Sequence, residues 1–322
     1  MDNLCHTLAG AALAESGLAR RTAMGYVTLL VAANLPDMDV LAYVNGPEAA
    51  LYWRRGWTHG LVALVVLPLL LTLFVVLLDT TLRKVSSAVL PSRLRPGQIL
   101  LLAYAGMLSH PLLDMLNTYG VRWLLPWNRH WTYGDALFIV DPWLIIILGL
   151  GVWASRSRRL ARQRTVVPEQ PARLALGVSL AYIIAMLASS AAAERDAVKE
   201  LQALTPGAVQ AAMAGPVFLD PFRRDIVIRQ GDVYRTARFD WLDRPHVAPS
   251  SVESFPVARP GHPAVAQAMA SIRAQQFLGW ARFPVFSVDS SSSAGYVVNI
   301  VDLRYAKNPD ARFGAVAVPV AR

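Results

Sequence analysis

The sequence predicts an α-helical integral membrane domain of about six spans, some of them re-entrant or half-buried, followed by a small β-rich or α+β soluble domain. Three observations carry that prediction. Of the 322 residues, 54% are hydrophobic and only 16% are charged, whereas an ordinary soluble domain carries about 25% charged residues. The charge deficit is concentrated before Ala193, where apolar runs approach the ~20 residues needed to cross a bilayer core. After Ala193 the chain turns polar and proline-rich, with the alternating pattern of short strands. The expected organisation is therefore a membrane domain over residues 1–193 and a soluble domain over 194–322.

The clearest apolar runs are Leu61–Leu78, Ile99–Leu116, Leu137–Ala154 and Leu174–Ala193. Two weaker ones precede them. Leu4–Ala19 is short, and Ala23–Val44 is interrupted by Leu35-Pro36-Asp37, so these two are the candidates for re-entrant or half-buried segments. The opening stretch begins Met1-Asp2-Asn3 without a basic region and does not read as a signal peptide. No internal repeat is evident. Basic residues then assign sides. Arg156, Arg158, Arg159, Arg162, Arg164 and Arg173 fill the loop after the Leu137–Ala154 run, Arg83, Lys84, Arg93 and Arg95 fill the loop after Leu61–Leu78, and Arg20-Arg21 form an earlier turn. The positive-inside rule makes all three cytoplasmic and sends the C-terminal domain to the extracytoplasmic side of a bacterial-type inner membrane.

In the soluble part, Asp225–Gln230, Val233–Trp241, Val285–Val288, Tyr296–Arg304 and Arg312–Val320 read as strands, and Ala264–Trp280 reads as one amphipathic helix. Ser290 to Ser293 read as a loop tip, and His246 and His262, among prolines, as surface residues. The net charge of +9 falls in short runs beside the apolar segments. That pattern belongs to membrane topology, and with no reading motif present, nucleic acid is not an expected partner. The single cysteine, Cys5, excludes an intrachain disulfide framework and a cysteine-only metal site. No Gly-rich phosphate loop, HExxH helix or Gly-x-Ser-x-Gly elbow occurs, which removes the main support for classical metalloprotease or serine hydrolase chemistry.

Four short segments place ionisable groups where a membrane protein needs a reason for them: His6, the pair Asp37 and Asp39, His59, and the pair His110 and Asp114. Such groups are costly in or beside a bilayer unless paired, hydrated or bound to metal. Imidazole and carboxylate together suit a zinc-type ion. His110 and Asp114 are four apart, so one helix face presents both, to one ion or with the aspartate orienting the imidazole; the alternative is a metal-free buried hydrogen bond. Asp37 and Asp39 would project to one side of extended backbone and reach one or two ions, or one of them would cap the next helix. His59 and His6 are ligands in company and interface residues alone. The predicted topology gathers all six at one depth, away from the cytoplasm. Arg54 and Arg55 lie there too, against the positive-inside trend, and suit an anionic group. His130 reads as part of an aromatic interface belt, and Asp135 and Asp141 as peripheral ligands or helix-start residues.

The ordered motifs His6-x-x-x-Gly10, Leu35-Pro36-Asp37-x-Asp39, Arg55-Gly56-x-Thr58-His59, and Ser109-His110-x-x-x-Asp114-x-Leu116-Asn117-Thr118-x-Gly120-Val121 resemble the membrane-bound metal-dependent hydrolases of the YdjM-like type, over about Met1 to Trp143. The resemblance implies that His6, Asp37, Asp39, His59, His110 and Asp114 bind metal. More distantly, the order is similar to zinc-dependent phospholipase C and related nucleases. One departure is clear: the family pattern reads His-Arg-Gly-x-Thr-His, and Arg54 stands at the first histidine. The resulting expectation is a metallohydrolase, with zinc or else manganese, that attacks an ester or phosphoester, a lipid included, at the outer face. Asp37 or Asp39 would serve as general base and Arg54 and Arg55 as anion-holding residues. The alternatives are a non-catalytic membrane protein with a structural metal and an outer binding domain, or an ion transporter. Against the transporter stands the clustering of the ligands at one face. Sequence assigns no oligomeric state.

Overall fold

The computed structural model describes residues 1–85, 93–161, 167–257, 261–290 and 295–321, so Arg162, Arg164 and Ser291 to Ser293 lie outside the described residues. The chain divides into two compact units, Met1–Asp39 with Arg55–Met186, and Val40–Arg54 with Leu187–Arg322.

The first unit is helical. Its elements are α1 (Asn3–Glu15), α2 (Gly25–Asn34), α4 (Leu61–Val85), α5 (Pro96–Met115), α6 (Pro142–Leu160) and the first part of α7 (Gln170–Leu204). The Asp2 carboxylate caps α1 by accepting from the Leu4 and Cys5 amides at 3.0 and 3.1 Å. Small residues let α1, α2 and α5 approach closely: a Cβ on Gly10 would lie 2.9 Å from the Ala33 Cβ, and one on Gly106 would lie 2.7 Å from that of Ala32. Cys5, Ala9, Ala12, Leu116, Leu137, Leu144 and Leu148 form the core that seats α1 against α6. By contrast, much of α4 faces outward: Val65, Leu69, Leu73, Phe74 and Leu77 are exposed on a helix apolar enough for lipid.

Among the described residues, three helical stretches are long and apolar enough to cross a membrane: Gly25–Asn45, Leu61–Val85 and Gln170–Leu204. The expected count of about six spans is therefore not supported, for physical reasons. The 13 residues of α1 rise only about 20 Å, short of a ~30 Å hydrocarbon core. Polar His110 and Asp114 dilute α5, and α6 starts only at Pro142 and ends in Arg156, Arg158 and Arg159.

After α2 the chain continues as 3-10 turns over Leu35–Asn45 rather than as extended backbone. Pro36 has no amide proton and its ring crowds the preceding turn, which ends the regular α-helix there. At about three residues per turn, Asp37 and Asp39 do not share a side, contrary to the extended reading.

The second unit holds α3 (Pro47–Trp53), the end of α7 and the β-rich remainder. Strands β1 (Val209–Val217), β2 (Asp220–Gln230), β3 (Val233–Asp240) and β4 (Glu253–Pro256) form an antiparallel sheet in that order. Strands β5 (Pro284–Asp289), β6 (Gly295–Asp302) and β7 (Ala315–Ala321) form a second antiparallel sheet. Ala193, Ala197 and Leu201 of α7 pack on Ile226, Ile228 and Phe239 of the first sheet. Strands β1 and β4 carry no clear sequence signal, because β1 is alanine-rich and β4 is four residues long. The single helix expected over Ala264–Trp280 is instead α8 (Pro263–Ala270) and α9 (Ile272–Leu278). Ser271 is extended between them, and its hydroxyl caps α9 by accepting from the Ala274 amide. His246 is buried rather than on the surface, stacked on Phe239 with Nδ1 2.9 Å from the Asp240 carbonyl. His262 caps α8.

Candidate metal centre

Asp37, His59, His110 and Asp114 each present one donor atom, and all four atoms lie within 4.8 Å of one another in the buried interior of the first unit. Four segments deliver them: the 3-10 turns after α2, the loop Arg55–Gly60, and two successive turns of α5. His59 Nε2 is 3.2 Å and His110 Nε2 3.6 Å from Asp114 Oδ2, and His110 Nε2 is 3.8 Å from Asp37 Oδ2. A first-row ion with ligands at about 2.0–2.1 Å separates tetrahedral donors by roughly 3.3 Å, which these edges approach.

The partners of the far ring nitrogens set the tautomers. His110 Nδ1 lies 2.7 Å from the Ala33 carbonyl, which only accepts, so Nδ1 carries the proton and Nε2 a bare lone pair. Thr58 Oγ1 donates to Asp39 Oδ2 at 2.9 Å and accepts from His59 Nδ1 at 2.9 Å, so His59 has the same tautomer. Both Nε2 atoms lack a hydrogen bond. Burial lowers the proton affinity of His59, with Asp39 pulling the other way. Two neutral lone pairs aimed at one carboxylate oxygen repel, and a cation among them turns that repulsion into coordination. The donor set therefore fits a metal ion.

Asp114 also has cations of the protein beside it. Arg55 Nε is 3.0 Å from Oδ2, and the Met1 amino group contacts Oδ1. Protein cations thus stand beside both oxygens of the Asp114 carboxylate. Arg55 is buried, with φ +53, its Nη1 donating to Asn117 Oδ1 at 2.9 Å and its guanidinium 4.4 Å from the centre of the Tyr119 ring. Its amide donates to Asp39 Oδ2 at 2.9 Å.

The remaining sequence candidates fall around this group. His6 is fully buried, stacked on His110 with ring centres 3.6 Å apart, its Nε2 3.3 Å from Asp114 Oδ1. Asp39 stands outside the four-residue group and holds Thr58, His59 and the Arg55 amide. Arg54 belongs to the second unit, its guanidinium 5.7 Å from the centre of the Tyr43 ring. Asp141 caps α6 through the Leu144 amide at 3.0 Å and accepts from the Tyr182 hydroxyl. Asp135 is buried with φ +48, and His130 is exposed. Sequence reasoning does not single out Thr58, the Ala33 carbonyl or Asn117, which also accepts from the Tyr119 amide at 2.9 Å. Thr58 and Asn117 both lie inside the quoted motifs, which is the signal available for them; a backbone carbonyl leaves none.

Residues 1–195 match the family described as YdjM inner membrane protein, and the chain belongs to that family. A curated relative is "Inner membrane protein YbcI" of Escherichia coli (strain K12), 34% identical over 124 residues. That alignment takes in 36% of this chain and 58% of the relative, so the chain spans a little over half of the relative's length. No solved structure matches the chain.

Proposed function

We propose that this member of the YdjM inner membrane protein family holds a divalent ion, zinc before manganese, and hydrolyses an ester or phosphoester of a membrane-resident substrate at the extracytoplasmic face. The observation that carries the reading is the pair of Nε2 lone pairs converging on Asp114 Oδ2. Asp37, His59, His110 and Asp114 hold the ion, with His6 as an adjoining donor. When bound, such an ion acts as a Lewis acid and brings the pKa of a water molecule down to about 7. Asp39 fixes the tautomer of His59 through Thr58 and stands as the candidate general base. Arg55 orients Asp114 and supplies positive charge for an anionic substrate group.

The placement at the outer face is supported by charge. Arg159 pairs with Glu15 at 2.5 Å, Arg20 pairs with Glu169, and Arg173 donates to the Ser16 carbonyl, so basic residues gather at the C-terminal end of α1. His6 and Glu15 are nine residues apart on α1, roughly 13 Å of rise, which separates the basic end from the histidines. One crossing by α7 from that end supports an extracytoplasmic β-rich domain.

A second reading, a structural metal without hydrolysis, is favoured by the four protein donors, since closed four-ligand sites are structural and open ones catalytic. Elemental mass spectrometry on the detergent-solubilised protein separates the cases. About one zinc per chain, lost in His110→Ala/Asp114→Ala, together with phosphoester turnover, supports the enzyme. Retained zinc without turnover supports the structural reading. No metal after reconstitution overturns both.

A further inference from the structure

The tip of the β1–β2 hairpin and the turn after β3 expose a cluster of large apolar side chains: Phe218, Leu219, Phe222 and Leu242. The Trp241 amide donates to the Phe222 carbonyl at 3.0 Å, so the turn and the tip are neighbours. Exposed clusters of this kind on an otherwise polar domain mark an interaction surface. Two side-chain ties fix the height of this one on α7. Trp241 Nε1 donates to Ser189 Oγ at 2.9 Å, and Ser190 Oγ donates to the Ala214 carbonyl at 2.7 Å.

Ser189 and Ser190 still belong to the apolar run that ends at Ala193, before Glu194, Arg195 and Asp196. β1 runs antiparallel to α7: Gln230, paired with Val209 at its start, reaches the Thr205 carbonyl, while Ala214 sits at Ser190. Phe218 follows Ala214 along the same strand direction, about 13 Å further at ~3.3 Å per residue, and Leu219 forms the turn beyond it. The strand direction therefore carries the tip past Ser190 toward the apolar part of α7. We propose that this hairpin tip, with Leu242, dips into the lipid leaflet beside α7 and anchors the β-rich domain on the membrane surface.

The charges around the tip also favour lipid hydrocarbon over an anionic partner. The two segments carry Asp220, Asp240 and Asp243 with Arg223, Arg224 and Arg244, three acids and three bases. Arg223 lies 2.7 Å from Asp240 and 3.6 Å from Asp220, so its charge is already matched. Insertion is then driven by apolar area and is indifferent to headgroup charge.

The test uses the full chain with Cys5→Ala, reconstituted in zwitterionic phosphatidylcholine vesicles. A nitroxide is placed in turn at Leu219→Cys, Phe222→Cys, Leu242→Cys and, as control, Asp232→Cys at the other end of the β2–β3 hairpin. Collisions with oxygen should exceed those with a water-soluble nickel chelate at the three tip positions, and the order should reverse at Asp232→Cys. Nickel-dominated collisions at the tip would overturn the proposal. So would exclusion of both reagents, which would mean that protein, such as a second copy of the chain, covers the tip.

Discussion

Replacing Thr58 with valine tests the tautomer argument most directly. The substitution keeps the shape of the side chain and removes the hydroxyl that links Asp39 to His59 Nδ1, the two bonds of 2.9 Å. Loss of such an outer hydrogen bond weakens metal binding by about 10- to 100-fold. Here Asp39 Oδ2 already lies 3.3 Å from His59 Nδ1 and takes over part of the role. Thr58→Val should therefore sit at the low end, about tenfold or ~1.4 kcal/mol. Asp39→Ala removes the backup, and the support of the Arg55 amide with it, and should approach a hundredfold, ~2.8 kcal/mol. Zinc affinity is measured on the detergent-solubilised protein by competition with a chromophoric chelator, with far-ultraviolet circular dichroism confirming the helix content. Unchanged zinc affinity in both variants, with helices intact, would refute the reasoning that Asp39 and Thr58 fix the His59 tautomer.

Other substitutions probe different parts of the chain. Gly106→Ala would drive a Cβ to 2.7 Å from Ala32 and 3.0 Å from the Leu29 carbonyl; it should cost about 1–3 kcal/mol in thermal unfolding and, by shifting the Ala33 carbonyl, weaken zinc binding as well. Asn117→Ala takes a charge-assisted acceptor from Arg55 and should destabilise by about 1.5–3 kcal/mol, read as a lower Tm. Asp240 is held below the usual carboxylate range by the Arg223 hydrogen bond and then by the Leu242 amide. Its folded-state pKa is depressed, so its contribution is present above the unfolded value of about 3.9 and fades as pH falls through the folded value. Asp240→Asn should therefore lower stability slightly at neutral pH, with the gap to the parent closing on acidification; a pH-independent gap would contradict this.

Much of the molecule is legible in the chain because local chemistry dictates it. Long apolar runs mark Leu61–Val85 and Gln170–Leu204, and alternation marks β2, β3 and β6. The count of spans is not legible, because windows of hydropathy do not register that α1 stops at Glu15 or that α6 starts only at Pro142. The burial of His246 is equally hidden, since its proline-rich setting signals a turn while the Phe239 ring supplies its cover.

Sequence by itself determined which residue types are available for the centre and on which elements they ride: the i, i+4 pair His110 and Asp114, the Pro36 break, and the loop that carries His59. Tertiary structure decided how they divide the work. Asp37 and Asp39 look equivalent in Leu35-Pro36-Asp37-Met38-Asp39, and only the 3-10 turn sends one to the donor group and the other to Thr58. Likewise, no local pattern reveals that the carbonyl of Ala33 meets His110 Nδ1 across 77 positions. The close approach of α2 and α5 over Gly106 makes that contact, and so leaves Nε2 bare; a property of packed distance has no counterpart in residue order.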